Sequence, residues 1–484
     1  MRRTSRYLYG LLTGAGILLA FGLPAPAAWQ QPVPASAVTG SWQGTLKVMG
    51  TELRLVFRIS QAADGALTAL LDSPDQGARD IPTSKVIWDG DSLQIEAALI
   101  RGVFAGVYRS DSLLISGHWK QGGMSFPLTL KRGEVTLRRP QEPVPPLPYS
   151  SEEVTVHNAA AGIDLAGTLT RPAQGGPFPA VVLITGSGPQ DRDESLMGHR
   201  PFLVLADYLT RRGIAVLRMD DRGIGKSKGN FATATTLDFA QDALSGVAYL
   251  KSLSIIRPGR IGLIGHSEGG IIAPIAATRS KDVAFIILMA GTGMTGEEIL
   301  YRQAELISRA GGASAAEIAK ERAVQHDLFT VVKSEKVDSL AAARLRPILL
   351  EAVATLGDSE KQAMGPADAY VQGQIRQITS PWFRFFLTYD PLPVLRKVKC
   401  PVLALGGALD LQVPPLENLQ AIERALQEGG NHQYTVQLFP GLNHLFQNAV
   451  TGAPTEYGKI EETLAPAALS CMGDWILART AKIR

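Results

Sequence analysis

The chain has 484 residues, of which 45% are hydrophobic and 19% are charged, and its formal net charge at pH 7 is +3. This composition is ordinary for a globular protein, and the length allows two or three domains with substantial cores. Acidic and basic residues nearly balance and no basic block stands out, which excludes nucleic acid as an expected partner.

The N-terminus has the pattern of a secretory signal peptide over residues 1–28. Three arginines near the start are followed by an apolar run to Leu23 and by small residues suited to signal peptidase, ending at Ala28. An uncleaved membrane anchor is the alternative, but the run is short and interrupted by glycines. No later segment is long and apolar enough to span a membrane. We therefore expect a periplasmic or secreted protein with no stable membrane span after cleavage.

Residues 36–132 show the pattern of a small all-β domain. Apolar and polar residues alternate over 53–59, and Asp-Gly turn signals separate the short runs. Two similar segments, 40–44 (GSWQG) and 117–122 (GHWKQG), predict paired strands at both ends of a sheet that closes as a barrel or sandwich. The proline-rich stretch at 133–150 is expected to form an extended linker.

From residue 151 to the C-terminus at residue 484, strands and helices alternate as in a doubly wound, mostly parallel α/β sheet. The fully apolar runs are typical of buried parallel strands. These runs lie at 180–184, 214–217, 261–264, 285–289 and 402–405.

A mostly helical, amphipathic segment at about 296–397 interrupts this alternation. Residues 295–298 (TGEE) and 314–317 (SAAE) have the form of capping boxes, which start helices. An insertion between sheet strands is expected to lie over the C-terminal ends of the strands as a helical cap.

The C-terminal end of the helical segment, residues 382–386 (WFRFF), is too apolar to be left exposed on a free surface. Its rings either dock the helical segment onto the core of the α/β domain or line a substrate pocket, which is usually apolar with a few polar groups. The candidate pocket residues are Trp382, Phe383, Phe385 and Phe386.

The chemistry of the chain centres on residues 265–269 (GHSEG), which match the pattern G-x-S-x-G. An apolar strand enters the motif and an apolar helix leaves it. Such a sharp turn needs glycines, because side chains there would collide, and it presents the serine hydroxyl at a helix N-terminus. We therefore predict that Ser267 is a nucleophile; a structural serine in a βα turn is the alternative.

A serine nucleophile needs a base, and in this fold the chain order is serine, acid, histidine. His444 lies in the loop after a predicted strand at 434–439, whereas His432 precedes that strand and is interpreted as a surface turn residue. Asp410 follows the strand at 402–405 and is the predicted acid. Asp390 is the rival, but neighbouring prolines place it at the exit of the helical segment.

The oxyanion formed during acyl transfer needs two N–H donors. One is expected from the backbone N–H of Glu268, at the start of the helix that leaves residues 265–269, the strand-to-helix turn called the nucleophile elbow. The other is expected from the loop 185–190 (TGSGPQ), with Ser187 as first choice and Gly188 as second.

Several other patterns carry less chemistry. Residues 225–227 (GKS) mimic the end of a P-loop, but Asp220 stands where the first glycine is required. No His or Cys grouping suggests a metal site. Cys400 and Cys471 form either a disulfide or two buried thiols.

Taken in order, these motifs resemble bacterial α/β-hydrolase-fold serine esterases that carry an N-terminal β-domain. The matching segments are 185–193, 220–227, 265–269, 406–414 and 442–447. The resemblance covers nearly all of the mature chain, although Thr185 replaces the histidine that is common in the entrance loop of lipases. It implies an α/β-hydrolase fold with a helical cap, preceded by a small β-barrel or sandwich, and carboxylesterase activity on short acyl esters.

The leading hypothesis is therefore a carboxylic-ester hydrolase that acts on a small-molecule ester through an acyl-enzyme. Water completes the turnover, so no cofactor is expected. A peptidase or thioesterase with the same triad is the alternative, and a peptidase would need acidic residues such as Glu268 or Glu297 to bind a free N-terminus. A non-catalytic lipid-binding or glycan-binding protein is a third hypothesis, which the complete triad in the correct order disfavours.

Overall fold

The structure is a computed structural model that describes residues 33–48, 51–62, 64–74, 78–133, 139–357, 361 and 366–481. The predicted signal peptide lies outside these residues. Among the residues described, every helix is too short or too polar to span a bilayer. The chain forms two compact units: Arg139–Ile348 and Ile375–Arg484 belong to one, and the N-terminal strands belong to the other.

The N-terminal strands form one antiparallel sheet in the described part of this unit. The strands are β1 (Gly40–Val48), β2 (Thr51–Gln61), β3 (Leu67–Ser73), β4 (Ala78–Pro82), β5 (Lys85–Trp88), β6 (Ser92–Ala97), β7 (Gly102–Arg109), β8 (Leu114–Gln121) and β9 (Met124–Arg132). Their order is β4-β3-β2-β1-β9-β8-β7-β6-β5. Strand β5 also contacts β3, so the sheet curls back on itself.

Large rings fill the inside of this curled sheet. Trp42 and Trp119, the two tryptophans of the repeated segments, are both fully buried. The ring of Phe57 lies 5.6 Å from that of Phe104 and 6.0 Å from that of Trp119. Strand β9 separates the two repeat strands, so the repeats do not pair with each other but contribute their tryptophans to one core.

The second unit contains a mostly parallel sheet of eight strands in its described residues. They are β10 (Tyr149–Asn158), β11 (Ile163–Pro172), β12 (Phe178–Ile184), β13 (Ala215–Met219), β14 (Ile256–His266), β15 (Val283–Met289), β16 (Val402–Gly407) and β17 (Tyr434–Phe439). The order is β10-β11-β13-β12-β14-β15-β16-β17. Strands β10 and β11 form an antiparallel hairpin, and β12 to β17 are parallel.

The helices connect these strands. They are α1 (Pro201–Arg211), α2 (Thr236–Ser252), α3 (Gly269–Arg279), α4 (Gly296–Ala310), α5 (Ala315–Ser334), α6 (Asp338–Ala354), α7 (Ala367–Ile378), α8 (Pro381–Thr388), α9 (Leu392–Leu395), α10 (Pro415–Glu428) and α11 (Pro466–Thr480). Helices α1 and α11 share one apolar core with the sheet, and α2, α3 and α10 share the core on its other face. This is the doubly wound α/β-hydrolase arrangement that the apolar runs predict.

Helices α4 to α9 lie in the chain between the parallel neighbours β15 and β16. The side chain of Thr295 accepts a hydrogen bond from the N–H of Glu298, whose carboxylate accepts from the N–H of Thr295. Ser314 and Glu317 form the same reciprocal pair at the start of α5. Both predicted capping boxes are confirmed, because each satisfies backbone donors that the first helical turn leaves unpaired.

Candidate active site

A tight turn between β14 and α3 carries Ser267. The serine has φ of +53°, a left-handed conformation that is unusual outside glycine, and its N–H donates to the carbonyl of Met289 at 2.8 Å. A Cβ on Gly265 would lie 1.9 Å from the carbonyl oxygen of Gly269, and one on Gly269 would lie 2.3 Å from that of Ile184. The turn therefore requires glycine at both ends of the motif.

Asp410 and His444 meet across the loops that follow β16 and β17. Nδ1 of His444 lies 2.8 Å from Oδ2 of Asp410, and both side chains are buried. Oδ1 of Asp410 accepts from the N–H groups of Gln412 and Val413, each at 2.8 Å. With Nδ1 donating to the carboxylate, Nε2 of His444 is an acceptor, and it has no hydrogen-bond partner among the described residues.

Ser267 and His444 line the same cavity, which has a volume of about 270 Å³. The rivals lie elsewhere: His432 is exposed, and the exposed Asp390 accepts a hydrogen bond from the N–H of Leu392 at the start of α9. The structure thus brings Ser267, His444 and, through it, Asp410 together, and leaves the two rivals outside the cavity.

The loop after β12 contains the predicted oxyanion donors. Ser187 lines the cavity with Ser267, whereas Gly188 lines a separate cavity of about 40 Å³. In the part of the chain that the structure describes, the backbone N–H groups of Ser187 and Glu268 have no acceptor. The N–H of Gly186 is already donated to Oε1 of Glu194 at 2.7 Å. Ser187 and Glu268 therefore have the free donors that an oxyanion requires.

Asp221 braces both ends of this loop. Its Oδ1 accepts from the hydroxyl of Thr185 at 2.8 Å, and its Oδ2 accepts from the N–H of Gln190 at 3.0 Å. Burial raises the pKa of Asp221 to about 7 in spite of these two hydrogen bonds, and the nearby Glu268 and Glu194 add to the increase. Thr185, which replaces the lipase histidine, thus serves as a donor to a buried carboxyl group.

The segment that mimics a P-loop folds around a carboxylate. Asp220 binds the guanidinium of Arg192 at 2.9 and 2.8 Å and accepts from the N–H of Lys226 at 3.1 Å. A Cβ on Gly225 would lie 2.5 Å from Oδ2 of Asp220. Gly225 is therefore needed because the backbone packs closely against the carboxylate of Asp220. A phosphate-binding site would not have a carboxylate at this position.

The side chain of Glu268 connects the elbow to two helices. Its Oε1 accepts from the hydroxyl of Thr236 at 2.7 Å and from the indole N–H of Trp382 at 2.8 Å. Burial raises the pKa of this carboxyl although the hydrogen bonds oppose the change. Glu268 thereby fixes Trp382 of α8 beside the turn that carries Ser267.

His266 and Glu194 form a second buried histidine–carboxylate pair. Nδ1 of His266 lies 3.0 Å from Oε1 of Glu194, and Nε2 lies 3.0 Å from the backbone oxygen of His444. Burial lowers the pKa of His266, but the charge and hydrogen bond of Glu194 outweigh burial, and the pKa is raised. No local sequence pattern indicates this pair, because its two members lie 72 positions apart in the chain.

The cavity has two sides. The strand-end side is formed mainly by the loops that follow β12, β14, β15, β16 and β17 and includes Ser187, Ser267 and His444. The helical side consists of five residues from α4 and α8, namely Ile299, Leu300, Gln303, Trp382 and Phe386.

The aromatic residues predicted for the pocket divide into two groups. Trp382 and Phe386 line the cavity and stack on each other with ring centroids 5.2 Å apart. Phe383 packs against Phe329 at 5.9 Å, and Phe385 stacks on Tyr389 at 5.2 Å. Neither is among the lining residues, which corrects the prediction for those two rings.

Both cysteines lie in the described part of the chain and are free, so Cys400 and Cys471 form no disulfide. Burial raises the pKa of the Cys400 thiol to about 11. Over the described residues, no cluster of three or more His, Cys, Asp or Glu side chains has an arrangement that could hold a metal ion.

Comparison with known proteins was made by sequence and by structure. The model of the family described as X-Pro dipeptidyl-peptidase (S15 family) matches residues 161–441. Esterase EstD of Thermotoga maritima is 27% identical over 318 residues, which cover 65% of this chain and 65% of EstD. Putative hydrolase YtaP of Bacillus subtilis is 33% identical over 114 residues, which cover 20% of this chain and 38% of YtaP.

A solved structure of the Pyrococcus furiosus esterase Pf2001 aligns with 68% of this chain and 90% of its own, with a TM-score of 0.40 and 16% identity. The match to EstD spans less than two thirds of that protein. The predicted resemblance to bacterial serine esterases and the predicted hydrolase class are confirmed by the family model and by EstD. Because the family model covers more than half of the 484 residues, the chain belongs to the X-Pro dipeptidyl-peptidase (S15) family.

Proposed function

We propose that the protein is a serine hydrolase that cleaves carboxylic esters, with short acyl esters as its preferred substrates. The observation that carries the proposal is the 2.8 Å contact between Asp410 and Nδ1 of His444, beside the cavity that Ser267 also lines. EstD, whose name is that of an esterase, supports the choice of ester over amide.

In the proposed mechanism, Oγ of Ser267 attacks the ester carbonyl carbon while Nε2 of His444 takes its proton. Asp410 holds the imidazole tautomer and stabilises the imidazolium. The negative oxygen of the tetrahedral intermediate accepts hydrogen bonds from the N–H groups of Ser187 and Glu268.

His444 then gives its proton to the leaving alcohol, and the bond from the acyl carbon to that alcohol breaks. A water molecule attacks the acyl-enzyme with His444 as base again. The acid is released, Ser267 regains its proton, and no cofactor takes part.

We also propose that the helical segment caps this site and limits the acyl group. Four of the five residues on the helical side are apolar. A cavity of about 270 Å³ is just below the usual range for small-molecule sites, which is roughly 300–1,000 Å³. A small cavity with a largely apolar wall favours acetyl or butyryl groups over long acyl chains.

Peptidase activity is the second candidate, because the family name is that of a dipeptidyl-peptidase. A site for a free N-terminus would need an available carboxylate. Glu268 is occupied by Thr236 and Trp382, and Glu297 is bound to Nζ of Lys333 at 2.8 and 2.7 Å. Both acids proposed for this role therefore have partners, and ester cleavage remains the first candidate. Within the described residues, no contact favours a thioesterase or a non-catalytic binding protein.

The test compares substrate classes on one enzyme preparation. We expect hydrolysis of p-nitrophenyl acetate and butyrate, slower hydrolysis of the octanoate, and labelling of Ser267 by a fluorophosphonate probe that Ser267→Ala abolishes. Gly-Pro-p-nitroanilide and acetyl-CoA should react far more slowly. Faster cleavage of the anilide than of every ester would reassign the protein as a peptidase, and absence of labelling would remove the serine hydrolase proposal altogether.

A further inference from the structure

Three loops meet at the buried pair of Glu194 and His266. Glu194 follows β12 and accepts from the N–H of Gly186, in the loop that carries the oxyanion donor. His266 is the last residue of β14 and directly precedes the nucleophile. Its Nε2 reaches the backbone oxygen of His444, whose ring centroid lies 4.9 Å from its own. The pair thus contacts all three segments that the acyl-transfer chemistry requires.

The chemical groups in these contacts determine which atoms donate hydrogen bonds and which accept them. The partner of Nε2 is a carbonyl oxygen, which can only accept, so Nε2 of His266 must carry a proton. On the other side, one proton is shared between Nδ1 and the Glu194 carboxyl group. Wherever that proton resides, the pair donates to the backbone of His444 and accepts from the backbone of Gly186.

The packing leaves little freedom for these segments. Glu194 and His266 are 4% and 6% exposed. Glu194 has φ of +52°, a left-handed conformation that a non-glycine residue keeps only when its surroundings enforce it. A Cβ on Gly186 would lie 3.3 Å from Oε1 of Glu194 and 3.3 Å from Cβ of Ser267, so the bonded loop lies directly against the nucleophile.

From these contacts we propose that Glu194 and His266 are positioning residues, which hold the oxyanion loop and the His444 loop in register with Ser267. The proposal rests on the proposed serine hydrolase function. Because the N–H of Gly186 is committed to Glu194, the next N–H along the loop, that of Ser187, remains available for the oxyanion. Both residues line the cavity, but their hydrogen bonds go to each other, to the N–H of Gly186 and to the backbone oxygen of His444, so their effect passes through Ser187 and His444.

The variants that test this role are Glu194→Gln and His266→Gln. Glu194→Gln has the same shape but cannot share a proton with Nδ1, so one of its two contacts is lost. The matched control is His157→Gln, since His157 also pairs with a carboxylate, with Nδ1 2.8 Å from Oδ1 of Asp164, but is exposed on strand β10. It does not line the cavity.

Turnover of p-nitrophenyl acetate is measured per active site, after titration with a fluorophosphonate and a check of folding by circular dichroism. We expect kcat to fall about 10- to 100-fold in both variants with KM nearly unchanged, because small misplacement of catalytic groups has effects of that order. The inhibition constant of a trifluoromethyl ketone, which forms an oxyanion on the serine, should rise in parallel. In His157→Gln, kcat per active site and this inhibition constant should stay near the wild-type values.

A wild-type kcat and inhibition constant in folded Glu194→Gln would overturn the positioning role, and so would equal losses in the His157→Gln control. Because Glu194→Gln is isosteric, it remains decisive if His266→Gln fails to fold. Ser267→Ala is assayed in the same series. If Ser267→Ala keeps the wild-type rate, the proposed function fails; if it is inactive while Glu194→Gln is fully active, only the positioning pair fails.

Discussion

The two sides of the active-site cavity are built by different kinds of contact. On the strand-end side, polar side chains are buried and bonded, and glycines let backbone segments approach within distances that a Cβ would forbid. On the helical side, apolar side chains from α4 and α8 predominate, and Trp382 is held by a single hydrogen bond to Glu268. Hydrogen bonds are directional and fix the positions of individual atoms, whereas apolar contacts are non-directional and fix only the shape of the cavity wall.

This difference separates two kinds of experimental effect. Changes on the strand-end side should lower turnover of every substrate, because they alter the groups that make and break bonds. Changes on the helical side should alter the preference among acyl groups, because they alter the space that the substrate fills. The following predictions test whether the two sides can be separated in this way.

The largest effect is expected from the nucleophile and the base. Ser267→Ala and His444→Ala should each lower kcat by about 10⁶-fold on acetyl and octanoyl esters alike, because triad members act as a unit. The control is His432→Ala, which removes an exposed histidine. Steady-state assays with p-nitrophenyl esters measure the effect. Full activity in His444→Ala together with loss in His432→Ala would transfer the role of base to His432.

The acid should have the next largest effect. Asp410→Asn should lower kcat about 10⁴-fold with KM similar, because the amide stabilises the wrong imidazole tautomer. Asp390→Asn is the matched control, since Asp390 is exposed and binds the N–H of Leu392. The same ester assay measures both variants, and a large loss in Asp390→Asn with little change in Asp410→Asn would reverse the assignment.

Asp221 provides a pH-dependent test of the strand-end side. Its pKa is about 7 in the folded protein, whereas an unfolded aspartate titrates near its model value of 3.8. Between these values the folded state keeps a proton that the unfolded state releases, so this group makes stability fall as pH rises from about 4 to about 7. A shift of this size corresponds to about 4 kcal/mol as an upper bound.

Asp221→Asn should therefore flatten the pH dependence of the free energy of unfolding, measured by urea titration between pH 4.5 and 8. Relative to wild type, the variant should lose a constant amount of stability at every pH, because one hydrogen bond is broken. This deficit should become smaller as the pH rises, because only the wild type is destabilised by the titration of Asp221. Asp390→Asn should leave the slope as it is. An unchanged slope in Asp221→Asn would show that this carboxyl group titrates normally in the folded state.

The smallest effect is expected on the helical side. Trp382→Ala and Phe386→Ala should raise kcat/KM for the octanoyl ester relative to the acetyl ester, by a factor equivalent to about 1–3 kcal/mol, because each truncation enlarges the cavity that these rings line. Phe385→Ala removes a ring of the same helix that lies outside the cavity and should leave the ratio unchanged. Equal losses on acetyl, butyryl and octanoyl esters would show that the two rings support the fold and not the pocket.

Much of this architecture could be predicted from local sequence patterns. The elbow around Ser267 is a local feature, because glycine spacing, an entering strand and a leaving helix lie within a few residues of one another. The buried parallel strands were recognisable as continuous apolar runs, and the starts of α4 and α5 as capping boxes. The spacing of Trp382 and Phe386, four residues apart, could also have placed both rings on one face of a helix, had the periodicity been applied there.

The sequence by itself determined where the apolar runs of the buried strands lie along the chain. It also determined the turn that carries Ser267 and the candidates Asp410 and His444. Tertiary structure alone decided the pairing of Glu194 with His266, the brace from Asp221 to the oxyanion loop and the anchoring of Trp382 by Glu268. These contacts join residues 31 to 114 positions apart. No local pattern encodes them, because hydrogen-bond partners of buried polar groups are chosen only when the loops at the ends of parallel strands converge.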